Sequence, residues 1–232
     1  MRRMSLLLLV LVAMASYSIL AQDSATIQAP EPAANKAFRI DSEASWLRVL
    51  LTPDGPLKRF GHYHAISHHG ISGSVMVAPN PLESTIMLEL SVADLDVDNP
   101  DSRALEGEDF AKEVPQKDID GTRANMLGES LLNAERFPTI QIQSTAIEGE
   151  MPDVNIVTTI IVAGIENTVS FPASIELTDD SFIATGQLEI THGELGLSPF
   201  TAMGGALSVG DVLVLKYEIS GVPVTQNESL PH

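Results

Sequence analysis

Apolar and polar side chains alternate with a period of two along most of this chain, and that alternation restricts the fold more than any other feature. Successive side chains of a β-strand point to opposite faces, so each such segment predicts a strand with one face turned toward a core. The pattern is clearest at residues 85–92, 168–177, 182–191 and 211–221. Short turns such as 53–56 separate the segments, which indicates mostly antiparallel neighbours.

The number of these segments favours a closed sheet. About nine strands are predicted between residues 38 and 221, interrupted by a single helix at 120–136 with Asp120 as its N-cap and Pro138 as its end. Alternation on two faces over this many strands is typical of a barrel or a sandwich, and a barrel has no exposed edge strands. A barrel of about eight strands holds packed side chains or one small ligand in its interior.

The two ends of the chain differ in composition from the strand-rich part. Residues 1–21 combine Arg2 and Arg3 with a short apolar stretch and small residues, which is typical of a secretory signal peptide. Residues 22–37 form an Ala- and Pro-rich leader, and residues 222–232 form a polar tail. We therefore expect a periplasmic or secreted protein without a membrane span after signal cleavage; an uncleaved anchor is the alternative.

Charge and composition exclude several classes of function. The chain has 31 Asp and Glu residues against 13 Lys and Arg, a formal net charge of −18, which disfavours binding to nucleic acid. The absence of cysteine excludes disulfides, thiolate nucleophiles and cysteine-based zinc sites. The sequence contains no Gly-x-Ser-x-Gly, phosphate-binding or His-Glu-x-x-His motif, so we expect no enzyme activity. The acidic run that includes Glu106, Glu108 and Asp109 is predicted to be solvated.

Four of the six histidines lie in one short stretch, residues 60–70. His62, His64 and His68 would share one face of a strand there. Two interpretations stay open: polar groups at a barrel mouth that bind a ligand head group, or a metal site. Because His62 and His68 are too far apart along a strand for one ion, the metal site would need His192 or an acidic side chain from another strand.

Within residues 123–144, a predicted helix runs into Phe137-Pro138-Thr139-Ile140, followed by Ser144-Thr145. This arrangement resembles the helix-to-strand segment of the YceI-like family of lipid- and polyisoprenoid-binding domains. Gly61-His62-Tyr63-His64 and residues 188–200 are similar to its periplasmic branch. The resemblance covers residues 38–221. Asn125 stands where many members have histidine, and Leu195 where an aromatic residue is usual.

The resemblance implies an all-β fold with one inserted helix: an eight-stranded antiparallel, lipocalin-like barrel. Its apolar cavity would hold an isoprenoid-type amphiphile, such as a quinone or polyprenyl lipid, without a required cofactor. Taken alone, the apolar faces are equally compatible with a solid core. The candidate ligand-binding residues at the cavity or its mouth are His62, His64, Ile86, Leu88, Leu90, Arg123, Met126, Phe137, Phe171, Ala173, Phe182, Ala184, Leu188 and Phe200.

Two other functions stay open at this point. One is a periplasmic metal-binding protein that uses His62, His64 and His192. The other is an adaptor with a solid barrel, whose acidic segment 94–118 binds a partner protein. A homodimer is compatible with each of these functions.

Overall fold

The computed structural model describes residues 35–224 of the chain. The predicted signal peptide at 1–21, most of the leader and most of the polar tail lie outside these residues. Between residues 35 and 224, no helix is long and apolar enough to cross a bilayer. The strands and helices are β1 (Lys36–Ile40), β2 (Trp46–Leu51), β3 (Pro53–Asp54), β4 (His64–His69), β5 (Ser72–Val77), β6 (Thr85–Ser91), β7 (Asp96–Val97), α1 (Pro100–Ala104), α2 (Gln116–Leu127), β8 (Thr139–Glu150), β9 (Asp153–Val162), β10 (Ile165–Leu177), β11 (Phe182–Thr191), β12 (Thr201–Ala202), β13 (Leu207–Val209) and β14 (Val212–Pro223).

Eight antiparallel strands close into a ring. Their order is β1-β5-β6-β8-β9-β10-β11-β14, and β14 pairs back onto β1. The inward face of each strand carries the apolar half of the alternating pattern, so the core lies inside the ring. The predicted eight-stranded antiparallel barrel is therefore confirmed.

The ring is closed at one end and split at the other. β2 continues the line of β1 along β14, after a turn at residues 41–45 in which the Ser45 hydroxyl accepts a hydrogen bond from the Ser220 amide at 3.0 Å. β4 continues the line of β5 but pairs with β7 and not with β6. Strand pairing therefore leaves a gap between β4 and the rest of the wall, and this gap marks the open end of the barrel.

Helix α2 packs at this open end. Its apolar side chains, with Met126 buried among them, belong to one apolar cluster with Ile66 of β4, Val97 of β7 and Val162 of β9. The predicted helix boundaries were wrong, since α2 begins at Gln116 after Pro115 and ends at Leu127, with Gly128 as its C-cap. Proline fixes a backbone angle that suits a helix start, and glycine stops the helix long before Pro138.

Leu131 and Leu132, whose spacing suggested a longer helix, lie in a turn after α2 and not in the helix. Leu132 donates its amide to the Met126 carbonyl at 3.1 Å, and Asn133 adopts a positive φ of 46°. These contacts turn the chain just after α2, so that Leu131 and Leu132 still pack under the helix. Helical spacing of apolar residues is therefore reproduced here without a continuous helix.

The acidic segment is folded onto the outside of the barrel. Phe110 is buried against Leu50 and Ala65 on the outer face of β2 and β4. The Glu106 side chain, only 1% exposed, forms ion pairs with both Arg48 and Lys216. The prediction that Glu106 is solvated was wrong, and the short helix α1 within this segment was missed.

Glu106 offsets a repulsion that the barrel itself creates. Arg48 of β2 and Lys216 of β14 are direct cross-strand partners, and like charges in that position destabilise a sheet. A buried carboxylate between them neutralises the pair and anchors the acidic segment. The face of the acidic segment that makes these contacts is therefore packed against the barrel.

Replacing Glu106 by Gln should therefore leave two cations facing each other without a counter-charge. We expect Glu106→Gln to lower the free energy of unfolding by about 2 kcal/mol, between the values typical of exposed and buried ion pairs. Urea denaturation at neutral pH measures this. The exposed Glu108→Gln is the control and should change stability by less than about 0.5 kcal/mol. Equal effects of the two substitutions would contradict this account.

Candidate functional site

The barrel encloses an apolar cavity of about 230 Å³, called here the main cavity. Leu, Ile, Val and Phe side chains from the inward faces of the strands make up most of its wall. Thr158, His192 and Tyr217 are the polar side chains in the lining. Each of them donates a hydrogen bond to a backbone carbonyl: Thr158 to Val169 at 3.0 Å, His192 Nδ1 to Asp211 at 3.0 Å and Tyr217 to Pro172 at 2.7 Å.

Because of these three hydrogen bonds, the N–H and O–H groups of the lining point into the barrel wall and not into the cavity. The phenol of Tyr217 reaches Pro172 across Gly186, where an added Cβ would lie 2.4 Å from the tyrosine oxygen and 2.2 Å from the Pro172 carbonyl oxygen. Burial also raises the pKa of Tyr217, which keeps the phenol a neutral donor. The main cavity therefore presents almost only carbon to its contents.

A second cavity of about 450 Å³, called here the mouth cavity, lies at the open end of the barrel. It shares Leu51, Ile66, Met126, Leu131 and His192 with the lining of the main cavity, so the two adjoin. Its own lining is more polar. That part includes His62, His64, Lys117, Asp118, Thr122 and Asn125.

The histidine stretch supplies one side of the mouth cavity. His64 begins β4, and its even-numbered face points inward, since Ile66 lines both cavities. His64 Nδ1 lies 2.6 Å from Asp98 Oδ2, and its Nε2 lies 3.4 Å from the Thr122 hydroxyl on α2. His62 Nε2 lies 3.2 Å from Asp118 Oδ2 on the same helix.

Asp98 is fully buried and ionised. Burial opposes its ionisation, but hydrogen bonds from His64, the Ala65 amide at 3.0 Å and Arg103 outweigh burial and hold the pKa of this carboxyl below its usual value. A carboxylate only accepts hydrogen bonds, so His64 Nδ1 must carry the proton that faces Asp98. In the neutral ring, His64 Nε2 is then a hydrogen-bond acceptor directed at the mouth cavity.

Arg103 fixes the position of that carboxylate. It also donates to the Tyr63 carbonyl at 2.6 Å and the Lys112 carbonyl at 2.9 Å, and it is itself buried. Sequence reasoning missed Asp98, Arg103 and Thr122, which are distant from His64 along the chain. The one signal for Arg103 was a lone arginine inside an acidic segment.

His68 has a structural role in the wall. Its ring is buried, and Nε2 donates to the Ser91 carbonyl at 3.0 Å, where β6 diverges from β4. Burial lowers the pKa of His68, so the neutral ring is favoured there. His69, the next residue, is exposed on the outer face.

The structure places the predicted ligand-binding residues in three groups. Phe200, His62, His64 and Met126 line the mouth cavity. The residues that line the main cavity are Ile86, Leu88, Leu90, Met126, Phe171, Phe182, Ala184 and Leu188.

Three of the predicted residues line neither of these cavities. Ala173 packs in the core, and the Phe137 ring lies over Gly164, 2.3 Å from where a Cβ would stand. Arg123 donates to the backbone carbonyls of Ala93 and Leu95 and so ties α2 to the segment before β7.

The described residues give no support to the metal-binding interpretation. No group of three or more His, Asp and Glu side chains within residues 35–224 is arranged to hold a metal ion.

An antiparallel barrel with an apolar interior and a polar mouth defines a ligand-binding class of fold. The YceI-like domain family matches residues 38–220, and the chain belongs to this family. That match confirms the resemblance found in the sequence. A search of curated proteins gives no match.

Solved structures that are similar to this chain are distant in sequence. BcnA of Burkholderia cenocepacia aligns with a TM-score of 0.55 and 14% identity, over 78% of this chain and 98% of BcnA. The YceI protein of Campylobacter jejuni aligns with a TM-score of 0.48 and 10% identity, over 67% of this chain and 82% of that protein. The BcnA alignment supports the fold alone.

The charge on Asp98 should make stability depend on pH. Because the folded-state pKa lies below the ordinary value of 3.8, the stabilisation is fully present above that value and is lost as the pH falls through the folded pKa. We expect Asp98→Asn to lower the free energy of unfolding by about 2–3 kcal/mol near pH 7, and by clearly less near pH 3.

Asparagine is the informative replacement here because Asp98 has a φ of 59°, which asparagine tolerates. Urea denaturation at the two pH values measures the difference between wild type and variant. Asp101→Asn, on the exposed surface of α1, is the control and should show no such pH dependence. If Asp98→Asn lowered the free energy of unfolding equally at both pH values, packing and not the charge on Asp98 would be responsible.

Proposed function

We propose that this protein binds a small isoprenoid amphiphile, a quinol or polyprenyl alcohol, non-covalently and without chemical turnover. The observation that carries the proposal is the contact between an apolar main cavity and a polar mouth cavity. An amphiphile has the same division, with an apolar tail and a polar head. The signal-like residues 1–21 support export, so that the protein would shield such a ligand in the periplasm.

The main cavity suits the tail. An apolar cavity of roughly 150 Å³ holds one benzene-sized molecule, and about 230 Å³ leaves room for a short branched chain. Each buried CH₂ contributes about 0.8 kcal/mol, so a tail of a few isoprene units provides most of the binding free energy. A charged or strongly polar ligand would find no free donor in the main-cavity lining, since all three donors bond backbone carbonyls.

The mouth cavity suits a head group that donates a hydrogen bond. In the neutral ring, His64 offers Nε2 as an acceptor, and the weak 3.4 Å contact with Thr122 leaves this atom available. A ligand hydroxyl can donate to it, whereas a quinone carbonyl would bring a second acceptor. We therefore expect a quinol or an alcohol to bind more tightly than the corresponding quinone.

Binding without turnover is supported by the chemistry of the cavity wall. A tail in the main cavity would meet aliphatic and aromatic side chains along most of its length. His62 and His64 lie at the mouth, where they pair with Asp118 and Asp98. The tail would thus be held without reacting, as in a carrier or buffer.

Filling the main cavity should prevent binding. Leu88 and Met87 are neighbours on β6, and Leu88 lines the main cavity while Met87 is 43% exposed on the outer face. We expect Leu88→Trp to weaken binding of farnesol by at least about tenfold and Met87→Trp to leave it unchanged. Isothermal titration calorimetry measures both affinities. Equal affinities for the two variants would rule out the barrel interior as the tail site.

The head-group preference gives a second test. We expect wild type to bind a short-tailed quinol about fivefold more tightly than its quinone, the effect of one net hydrogen bond of about 1 kcal/mol. His64→Ala should remove the preference, and His69→Ala on the outer face should retain it. Anaerobic titration of each ligand measures the ratio. A wild-type preference for the quinone would contradict the assigned role of His64.

A further inference from the structure

A third cavity lies at the closed end of the barrel, opposite the mouth. This end cleft has a volume of about 250 Å³, as large as the main cavity itself. Its lining is almost entirely apolar and includes Val75, Val77, Ile175 and Leu177. Met151 stands at its rim and is 41% exposed.

A thin partition separates the end cleft from the main cavity. Ile86, Ile156 and Phe182 are the residues that line both. They come from β6, β9 and β11, and all three are buried. A single layer of side chains therefore separates the end cleft from the main cavity.

Phe182 is the largest member of the partition. Its ring centroid lies 6.0 Å from that of Phe38, and the side chain is 3% exposed. The next inward residue of β11 is Ala184, which lines the main cavity and is too small to close the barrel. Removal of the Phe182 ring would therefore join the two cavities.

The polar groups of the end cleft are already bonded. Lys36 pairs with Asp179 at 2.6 Å, and the Ser84 hydroxyl accepts the Ala78 amide at 3.0 Å. With its polar groups bonded in this way, the end cleft suits an apolar chain end and not a head group. An apolar cleft of this kind is unfavourable in water, and a hydrocarbon chain that filled it would be stabilised.

We propose that Phe182 limits the length of the ligand tail and that the end cleft is the seat a longer tail would take. This inference rests on the proposed function, since it assumes a tail in the main cavity. With the partition closed, tails that exceed the main cavity gain nothing from the end cleft. With the partition opened, the distal isoprene unit of a longer tail enters the cleft.

Three prenyl alcohols of increasing length, geraniol, farnesol and geranylgeraniol, test this by calorimetric titration. For wild type we expect geranylgeraniol to bind no more tightly than farnesol. Phe182→Ala should bind geranylgeraniol at least about tenfold more tightly than wild type does, with geraniol changed by less than about threefold. Ile156→Ala opens the same partition from β9 and should give the same shift if Phe182→Ala fails to fold.

Two further variants separate this effect from general loosening of the barrel. Phe137→Ala makes the same truncation outside both cavities and should keep the wild-type length profile. Val77→Phe in the Phe182→Ala background fills the end cleft and should reverse the gain for geranylgeraniol.

The outcomes distinguish the two proposals. An identical length profile in wild type and the opened variants, or a gain that Val77→Phe does not reverse, would overturn the role of Phe182 while leaving the proposed function intact. Failure of wild type to bind any of the three alcohols would overturn the proposed function and this inference together.

Discussion

The open end of this barrel depends on one buried carboxylate. Asp98 bonds the β4 backbone at Ala65, the ring of His64 and the guanidinium of Arg103, and so joins the barrel wall, the mouth cavity and the acidic segment. A buried carboxylate is stable only when its charge is compensated in this way. The same contacts that make the charge tolerable fix the proton on His64 Nδ1 and present Nε2 to the mouth. One set of hydrogen bonds therefore holds the wall together and orients the His64 ring.

The two ends of the barrel have different linings because the strands pair differently there. At the closed end every strand has two neighbours, which keeps the wall continuous and apolar. At the open end β4 turns to β7, and α2 and the acidic segment bring polar side chains around the gap. The lining therefore changes from almost only carbon in the interior to polar side chains at the mouth.

Local patterns predicted the strands well because side-chain alternation is a property of the backbone itself. Leu88 and Leu188 could be placed on inward faces from period two alone. Helix ends were predicted less well, because Leu131 and Leu132 satisfy the helical spacing while Gly128 ends the helix. Glu106 was misplaced for a different reason. Its burial depends on Arg48 and Lys216, which are far away in sequence and adjacent only once β2 pairs with β14.

By itself, the sequence determined the strand-rich fold, the inward faces, the family and the location of the histidine stretch, since each of these follows from local periodicity or from motifs along the chain. Only the tertiary structure decided which way His64 points, that Asp98 and Arg103 support it, and that Phe137 and Arg123 lie outside the cavities. It also decided that Phe182 divides the interior. The physical reason is that barrel closure brings together residues from distant strands, and no local pattern encodes which distant partners will meet.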